Sequence, residues 1–282
     1  MSDVIIIGAG PAGISAAVYA KRGGLDVIVI AKGAGALLKA ERIENYYGFG
    51  SPVSGKELFD SGVAQAGRLG IGVVSDEVLS LDFDGGFTAK CTSGEYKAKR
   101  AVLATGVSRP APKIPNLKEL EGRGVSYCAV CDAFFFRGKS VAVLGAGEYA
   151  LEESEVLLKT ASNVTLLTNG AAPEAKFDER IKIVTSPLAS VDGEGRVTGV
   201  TLKSGEQIAL DGIFIAMGTA GATALARKLG AALADNSVVV DENGETTVKG
   251  LLAVGDCTGG MLQVAKAVYE GARTGQYLTR SL

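Results

Sequence analysis

One strand–turn–helix unit, written twice, constrains this chain more than any other feature. The first copy is Asp3-Val-Ile-Ile-Ile-Gly-Ala-Gly-Pro-Ala-Gly13. An apolar strand runs into Gly8, Gly10 and Gly13, an alanine-rich helical stretch continues to about residue 22, and a second strand spans 27–30. At this spacing Gly8 permits the tight turn, Gly10 lets the backbone approach a pyrophosphate, and Gly13 lets helix and strand pack closely. The phosphate then lies at the positive end of the helix dipole. An ordinary strand-to-helix turn would not need glycine at all three places.

The same grammar returns at Lys139-Ser-Val-Ala-Val-Leu-Gly-Ala-Gly-Glu-Tyr-Ala150, with Gly145, Gly147 and Ala150 in register, a helix over 151–158 and a strand over 164–167. Shorter echoes are Ala101-Val-Leu-Ala-Thr-Gly106, Ile213-Phe-Ile-Ala-Met-Gly218 and Leu251-Leu-Ala-Val-Gly-Asp256, each an apolar strand ending in a small-residue turn. The pattern predicts an α/β fold of two Rossmann-like, three-layer dinucleotide-binding domains. Proline-rich Ser108-Arg-Pro-Ala-Pro-Lys-Ile-Pro115 marks the first linker. The return crossing is placed at 241–246, so a central domain, 110–245, is inserted between 1–109 and 246–282.

A chain of 282 residues, 47% hydrophobic, has room for two cores at roughly 150 residues per domain. Its net charge of −2 gives no global basic footprint, so neither nucleic acid nor an anionic membrane is an expected partner. The N-terminus enters a strand at once with no signal-like segment, and no apolar run approaches the roughly 20 residues needed to span a bilayer. A soluble, cytoplasmic protein is expected.

Two of the four cysteines stand as Cys128-Ala-Val-Cys131, followed by Asp132. A Cys-x-x-Cys pair forms a short-loop disulfide whose lower-pKa thiolate is the nucleophile for exchange. Histidine is absent from the chain, so Asp132 is the candidate to give or take the proton that exchange requires. Zinc is the competing reading, but it wants two more paired ligands; Cys91 and Cys257 are single and distant, and read as small buried side chains. No metal is expected.

Together these elements resemble the low-molecular-weight thioredoxin reductases over nearly the whole chain. The resemblance rests on Gly8-Ala-Gly-Pro11-Ala12-Gly13, Glu44-Asn45-Tyr46 with Gly48, Ala104-Thr105-Gly106, Cys128-Ala-Val-Cys131-Asp132, Gly145-Ala-Gly-Glu-Tyr-Ala-Leu-Glu-Glu153, and Gly255-Asp256 with the helix from about Gln263. It implies FAD in the first domain, a homodimer, and a flavin that reduces the disulfide, which in turn reduces thioredoxin. By the same resemblance Cys131 faces the flavin, Cys128 attacks the substrate disulfide and Asp132 is the acid/base. Asp256 binds the ribityl and phosphate region, with Asn45, Thr105, Gly106 and the Gln263-Val264-Ala265 turn also against the cofactor.

In the NADPH-dependent members of that family the strand after the second fingerprint ends in His-Arg-Arg, with another Arg shortly after, clustered on the 2′-phosphate. Here Thr168, Asn169, Gly170 and Glu174 take those places. Charge-assisted hydrogen bonds of about 1.5–3 kcal/mol each are thereby lost. Nor is there an acid at the strand end to accept from the ribose of NADH. Glu148 adds a carboxylate inside the turn itself, and Lys176 and Arg180 are the remaining local sources of positive charge. The nicotinamide site therefore reads as degenerate.

A narrower resemblance, carried by Cys-x-x-Cys-Asp132-Ala133, Gly255-Asp-Cys-Thr-Gly259, Lys266-Ala-Val268 and Glu270-Gly271, points to the ferredoxin-dependent flavin thioredoxin reductases. It implies electrons from ferredoxin, an acidic partner for which Lys113, Lys118, Arg123, Arg137 and Lys139 offer basic charge around the dithiol. The alternatives are an NADH- or deazaflavin-fed thioredoxin reductase and a flavin-dependent dithiol oxidase.

Overall fold

The computed structural model describes residues 1–106, 112–234 and 237–282. The chain divides into two compact units, Met1–Ser108 with Gly221–Leu282, and Arg109–Ala220. Residues 108–111 of the expected linker lie outside the described residues.

In the first unit, β1 (Ser2–Ile7) leads through the glycine turn into α1 (Pro11–Arg22) and β2 (Val27–Ala31). Val4, Ile5 and Ile6 are fully buried, as the unbroken apolar run of a central parallel strand requires. Pro11 opens α1, where its missing N–H costs nothing, and Lys21 and Arg22 sit at the negative end of the helix. A capping box between Ser54 and Glu57 starts α2 (Gly55–Arg68). The strands β3 (Gly72–Ser75), β4 (Val78–Phe83), β5 (Phe87–Cys91) and β6 (Gly94–Leu103) complete the first pass.

The second unit repeats the plan. Strands β7 (Val125–Ser126), β8 (Ser140–Leu144), β9 (Asn163–Leu167), β10 (Lys182–Val184) and β14 (Gly212–Ile215) form a sheet in the order β10-β9-β8-β14-β7, parallel throughout. Among the described residues two α-helices belong here, α3 (Ala129–Asp132) and α4 (Glu148–Leu157). An antiparallel sheet of β11 (Leu188–Asp192), β12 (Gly199–Leu202) and β13 (Gln207–Ala209) encloses a core of Leu117, Leu120, Leu144, Leu188, Val200 and Ile213. The helix after the second turn starts at Glu148, three residues before the expected 151.

The chain then rejoins the first unit at Gly221, not at 246. The amide of Ala222 donates to Thr105 Oγ1 (2.8 Å), anchoring the start of α5 (Ala222–Lys228). The hairpin of β15 (Leu233–Ala234) and β16 (Ser237–Val238) follows, then β17 (Leu251–Ala253) and α6 (Val264–Ser281). Residues 221–245 carry no glycine fingerprint, so their membership is decided by packing and not by any motif. The completed sheet runs β3-β2-β1-β6-β5-β4, with β17 parallel to β6. α6 lies on α1 through small residues: a Cβ on Gly271 would come within 2.2 Å of the Ala12 carbonyl oxygen. No helix among the described residues is long and apolar enough to cross a membrane.

Candidate active site

Strands β1, β6 and β17 are mutually parallel, so Ile7, Leu103 and Ala253 end at one edge, where open α/β sheets place their ligand crevice. The predicted cofactor residues gather there. A Cβ on Gly13 would meet the Gly8 carbonyl oxygen at 1.9 Å, so the turn closes only with glycine. Beside Gly10, by contrast, no atom of the described residues lies within 4 Å of a built Cβ, and no side chain caps α1. The turn is therefore open to an anion at the helix N-terminus.

Gly255 packs on Ala12, its built Cβ 2.8 Å from the Ala12 side chain, which brings the Gly255–Thr258 turn and Asp256 beside the start of α1. Burial raises the Asp256 carboxyl, with Lys266 pulling it down and Glu270 adding to the rise. Two side chains one turn apart on α6 clamp this segment. Lys266 Nζ donates to the carbonyls of Gly255 (2.7 Å) and Gly259 (2.6 Å) and to Thr258 Oγ1 (3.0 Å), while Glu270 accepts the Gly255 N–H (2.8 Å). Asn45 Nδ2 donates to Gln263 Oε1 (2.8 Å), joining residues 218 positions apart at the head of α6, where Val264 and Ala265 present the first turn. Thr105 is engaged with Ala222, and Gly106 follows it at positive φ.

In the second unit Cys128 and Cys131 form a disulfide. Cys128 is the N-cap of α3, its Sγ accepting the Cys131 N–H at 3.2 Å. Cys128 is only 1% exposed, whereas Cys131 is exposed, along with Val130, Phe134 and Phe135. Ser126 joins the pair to Asp132: its hydroxyl donates to Asp132 Oδ2 (2.7 Å) and accepts the Cys128 N–H (3.1 Å). Glu153, buried on α4, accepts the Ala129 N–H (2.6 Å) and ties α3 to the helix behind it. Neither Ser126 nor Glu153 announces itself by spacing to the cysteines. Arg137 stacks 5.3 Å over Phe134 and Lys139 5.6 Å over Phe136, so two of the expected basic residues flank the dithiol.

The second glycine turn keeps its backbone form, and α4, like α1, has no side-chain cap, but the side chains around the turn are acidic or bonded elsewhere. Glu174 N–H donates to the Ala146 carbonyl (2.7 Å), folding the loop after β9 back on the turn. A Cβ built on Gly147, the N-cap of α4, would lie 3.4 Å from Glu174 Oε2. Thr168 donates to the Ala171 carbonyl (2.6 Å), and Asn169 Oδ1 accepts the Leu188 N–H (2.8 Å). Arg180 is paired to both carboxylate oxygens of Asp178.

The family model of the pyridine nucleotide-disulphide oxidoreductases matches residues 2–271. The thioredoxin reductase of Treponema pallidum is 36% identical over 290 residues, covering 96% of this chain and 94% of that one. The chain belongs to the thioredoxin reductase family. Members of the family are FAD-binding flavoproteins, and the open cradle at Gly10, with its unspent helix N–H groups, fits the pyrophosphate of that cofactor. Among solved structures, the atypical thioredoxin reductase TRi of Desulfovibrio vulgaris Hildenborough is 38% identical, with a TM-score of 0.91 over 99% of this chain and 97% of that one. A ferredoxin-flavin thioredoxin reductase of Clostridium acetobutylicum is 30% identical, with a TM-score of 0.75 over 99% and 97%.

Proposed function

We propose that this member of the family reduces thioredoxin through Cys128 and Cys131 with electrons taken from reduced ferredoxin and not from a pyridine nucleotide. The observation that carries the reading is the second glycine turn. A dinucleotide would set its pyrophosphate where Glu148 opens α4 and where Glu174 lies against Gly147. Two unit charges of like sign 4 Å apart repel by about 1 kcal/mol in water and several-fold more where water is excluded. The side chains that would replace this loss with attraction, Thr168, Asn169 and Arg180, are already bonded within the protein. The likeness to a ferredoxin-flavin reductase supports the choice of donor.

Gly8, Gly10, Pro11, Ala12, Gly13, Asn45, Thr105, Gly106, Gly255, Asp256, Gln263, Val264 and Ala265 would hold FAD. The cofactor supplies the conversion of single electrons into the pair that a disulfide takes. By the family resemblance Cys128, whose sulfur accepts the Cys131 N–H at the start of α3, would attack the thioredoxin disulfide, and Cys131 would face the flavin. Exposed Phe134 and Phe135 give a protein substrate an apolar landing beside the sulfurs. The family resemblance further supports a homodimer.

Anaerobic titration of the purified flavoprotein tests the donor. Reduced ferredoxin is expected to bleach the flavin absorbance band and, with thioredoxin present, to generate thioredoxin thiols. NADPH and NADH in millimolar amounts are expected to leave the band unchanged, and rapid bleaching by either would sink the reading.

A further inference from the structure

We infer that Ser126 is a positioning residue that keeps Asp132 hydrogen-bonded in both of its protonation states by turning its hydroxyl between two acceptors. The inference rests on the proposed role of Asp132 as proton carrier. Ser126 is 6% exposed, and its backbone is held by the parallel pairing of β7 with β14, opposite Phe214. Its Oγ lies 2.7 Å from Asp132 Oδ2, 3.1 Å from the Cys128 amide nitrogen and 3.4 Å from the Cys128 carbonyl oxygen.

A hydroxyl has one proton and two lone pairs. With Asp132 ionised, the proton goes to Oδ2 while a lone pair takes the Cys128 N–H. With Asp132 protonated, the carboxyl O–H donates back to Oγ, and the serine proton turns to the Cys128 carbonyl. One bond rotation separates the states, and neither strands the hydroxyl, at a site where an unpaired polar group is costly.

The exchange step needs both states. The Cys128 thiol gives its proton to Asp132, and the thiolate attacks the thioredoxin disulfide. A bond forms between Cys128 and one thioredoxin sulfur as the thioredoxin S–S bond breaks, and the released thiolate takes the proton from Asp132. Cys131 then attacks the Cys128 sulfur: the Cys128–Cys131 bond forms, the mixed disulfide breaks, and the Cys131 proton reaches the second thioredoxin thiolate through the same carboxyl. Two electrons and two protons pass to thioredoxin, and Asp132 is protonated twice and deprotonated twice. A fixed N–H donor would favour only its ionised form.

The side chains on the surrounding elements have partners of their own. α4 places Glu153 on the Ala129 N–H, the turn after α3 leads to Arg137 over Phe134, Tyr127 bonds Glu121, and β7 and β14 bring Val125 and Phe214. Ser126 is the group bonded to the Asp132 carboxylate itself.

The test is stopped-flow exchange between pre-reduced holoenzyme and oxidised thioredoxin. Ser126→Ala is expected to slow exchange about tenfold, because the carboxyl loses its partner in both protonation states. Ser126→Thr, which keeps the hydroxyl, is expected to restore the rate. In an Asp132→Asn background, Ser126→Ala should add little, since both changes act on one unit. Wild-type exchange in Ser126→Ala, failure of Ser126→Thr to restore the rate, or full additivity in the double variant would overturn the inference while leaving the role of Asp132 intact. If Asp132→Asn alone exchanges at the wild-type rate, the proposed reading of Asp132 fails instead.

Discussion

The thiols divide sharply at the scale of single residues. Burial pushes Cys257 up to about 12, and burial with a contribution from Asp76 does the same for Cys91. The thiolate is the reactive species, so both are inert at pH 8. Alkylation of the native protein is expected to label neither of them, before or after reduction, as peptide mapping by mass spectrometry would show. Labelling of Cys257 in folded protein would contradict its burial. The same raised value has a stability consequence with a definite sign. The folded chain holds the Cys257 proton more tightly than the unfolded chain, so this contribution is complete below the ordinary value of 9.0 and is lost as pH rises toward about 12. The urea midpoint of wild type should therefore fall more steeply above pH 9 than that of Cys257→Ala.

Two helix glycines separate chain entropy from close approach at the scale of elements. Gly62 lies inside α2, and a Cβ there would meet only Ile14, at 3.7 Å, an ordinary contact. Gly62→Ala is expected to stabilise the protein by about 0.5–1 kcal/mol. Gly271 lies inside α6, where the same methyl would press on the Ala12 carbonyl oxygen. Gly271→Ala is expected to destabilise by about 1–3 kcal/mol and to loosen FAD, since Ala12 also supports Gly255. Denaturant titration and FAD release distinguish the two variants, and equal effects would mean that α1 and α6 do not pack as described. The elements themselves were largely legible. The runs Val4-Ile-Ile-Ile7 and Val141-Ala-Val-Leu144 are apolar without alternation because both faces of a central parallel strand are covered. The start of α4 is hidden in the sequence because Glu148 and Tyr149 follow the glycine turn without a capping side chain to mark the helix.

The whole molecule is two sheets with separate cores, one interrupting the other. Because the second unit contains every partner of its own strands, residues 112–220 expressed alone are expected to fold cooperatively and to form the Cys128–Cys131 disulfide. Circular dichroism during thermal unfolding checks this, and a gradual, non-cooperative melt would show that the insert depends on its host.

Local spacing was enough to identify both glycine turns, the dithiol and the family, because those features depend on backbone sterics and sulfur reach within a few residues. It was also enough to show which side chains the second turn lacks. It could not show that Glu174 folds back onto that turn, that Cys128 is the buried sulfur and Cys131 the exposed one, that Ser126 bridges Cys128 to Asp132, or that residues 221–245 return to the first sheet. Each of these depends on how segments distant along the chain, or side chains around a turn, pack in three dimensions, and no spacing rule encodes such an arrangement.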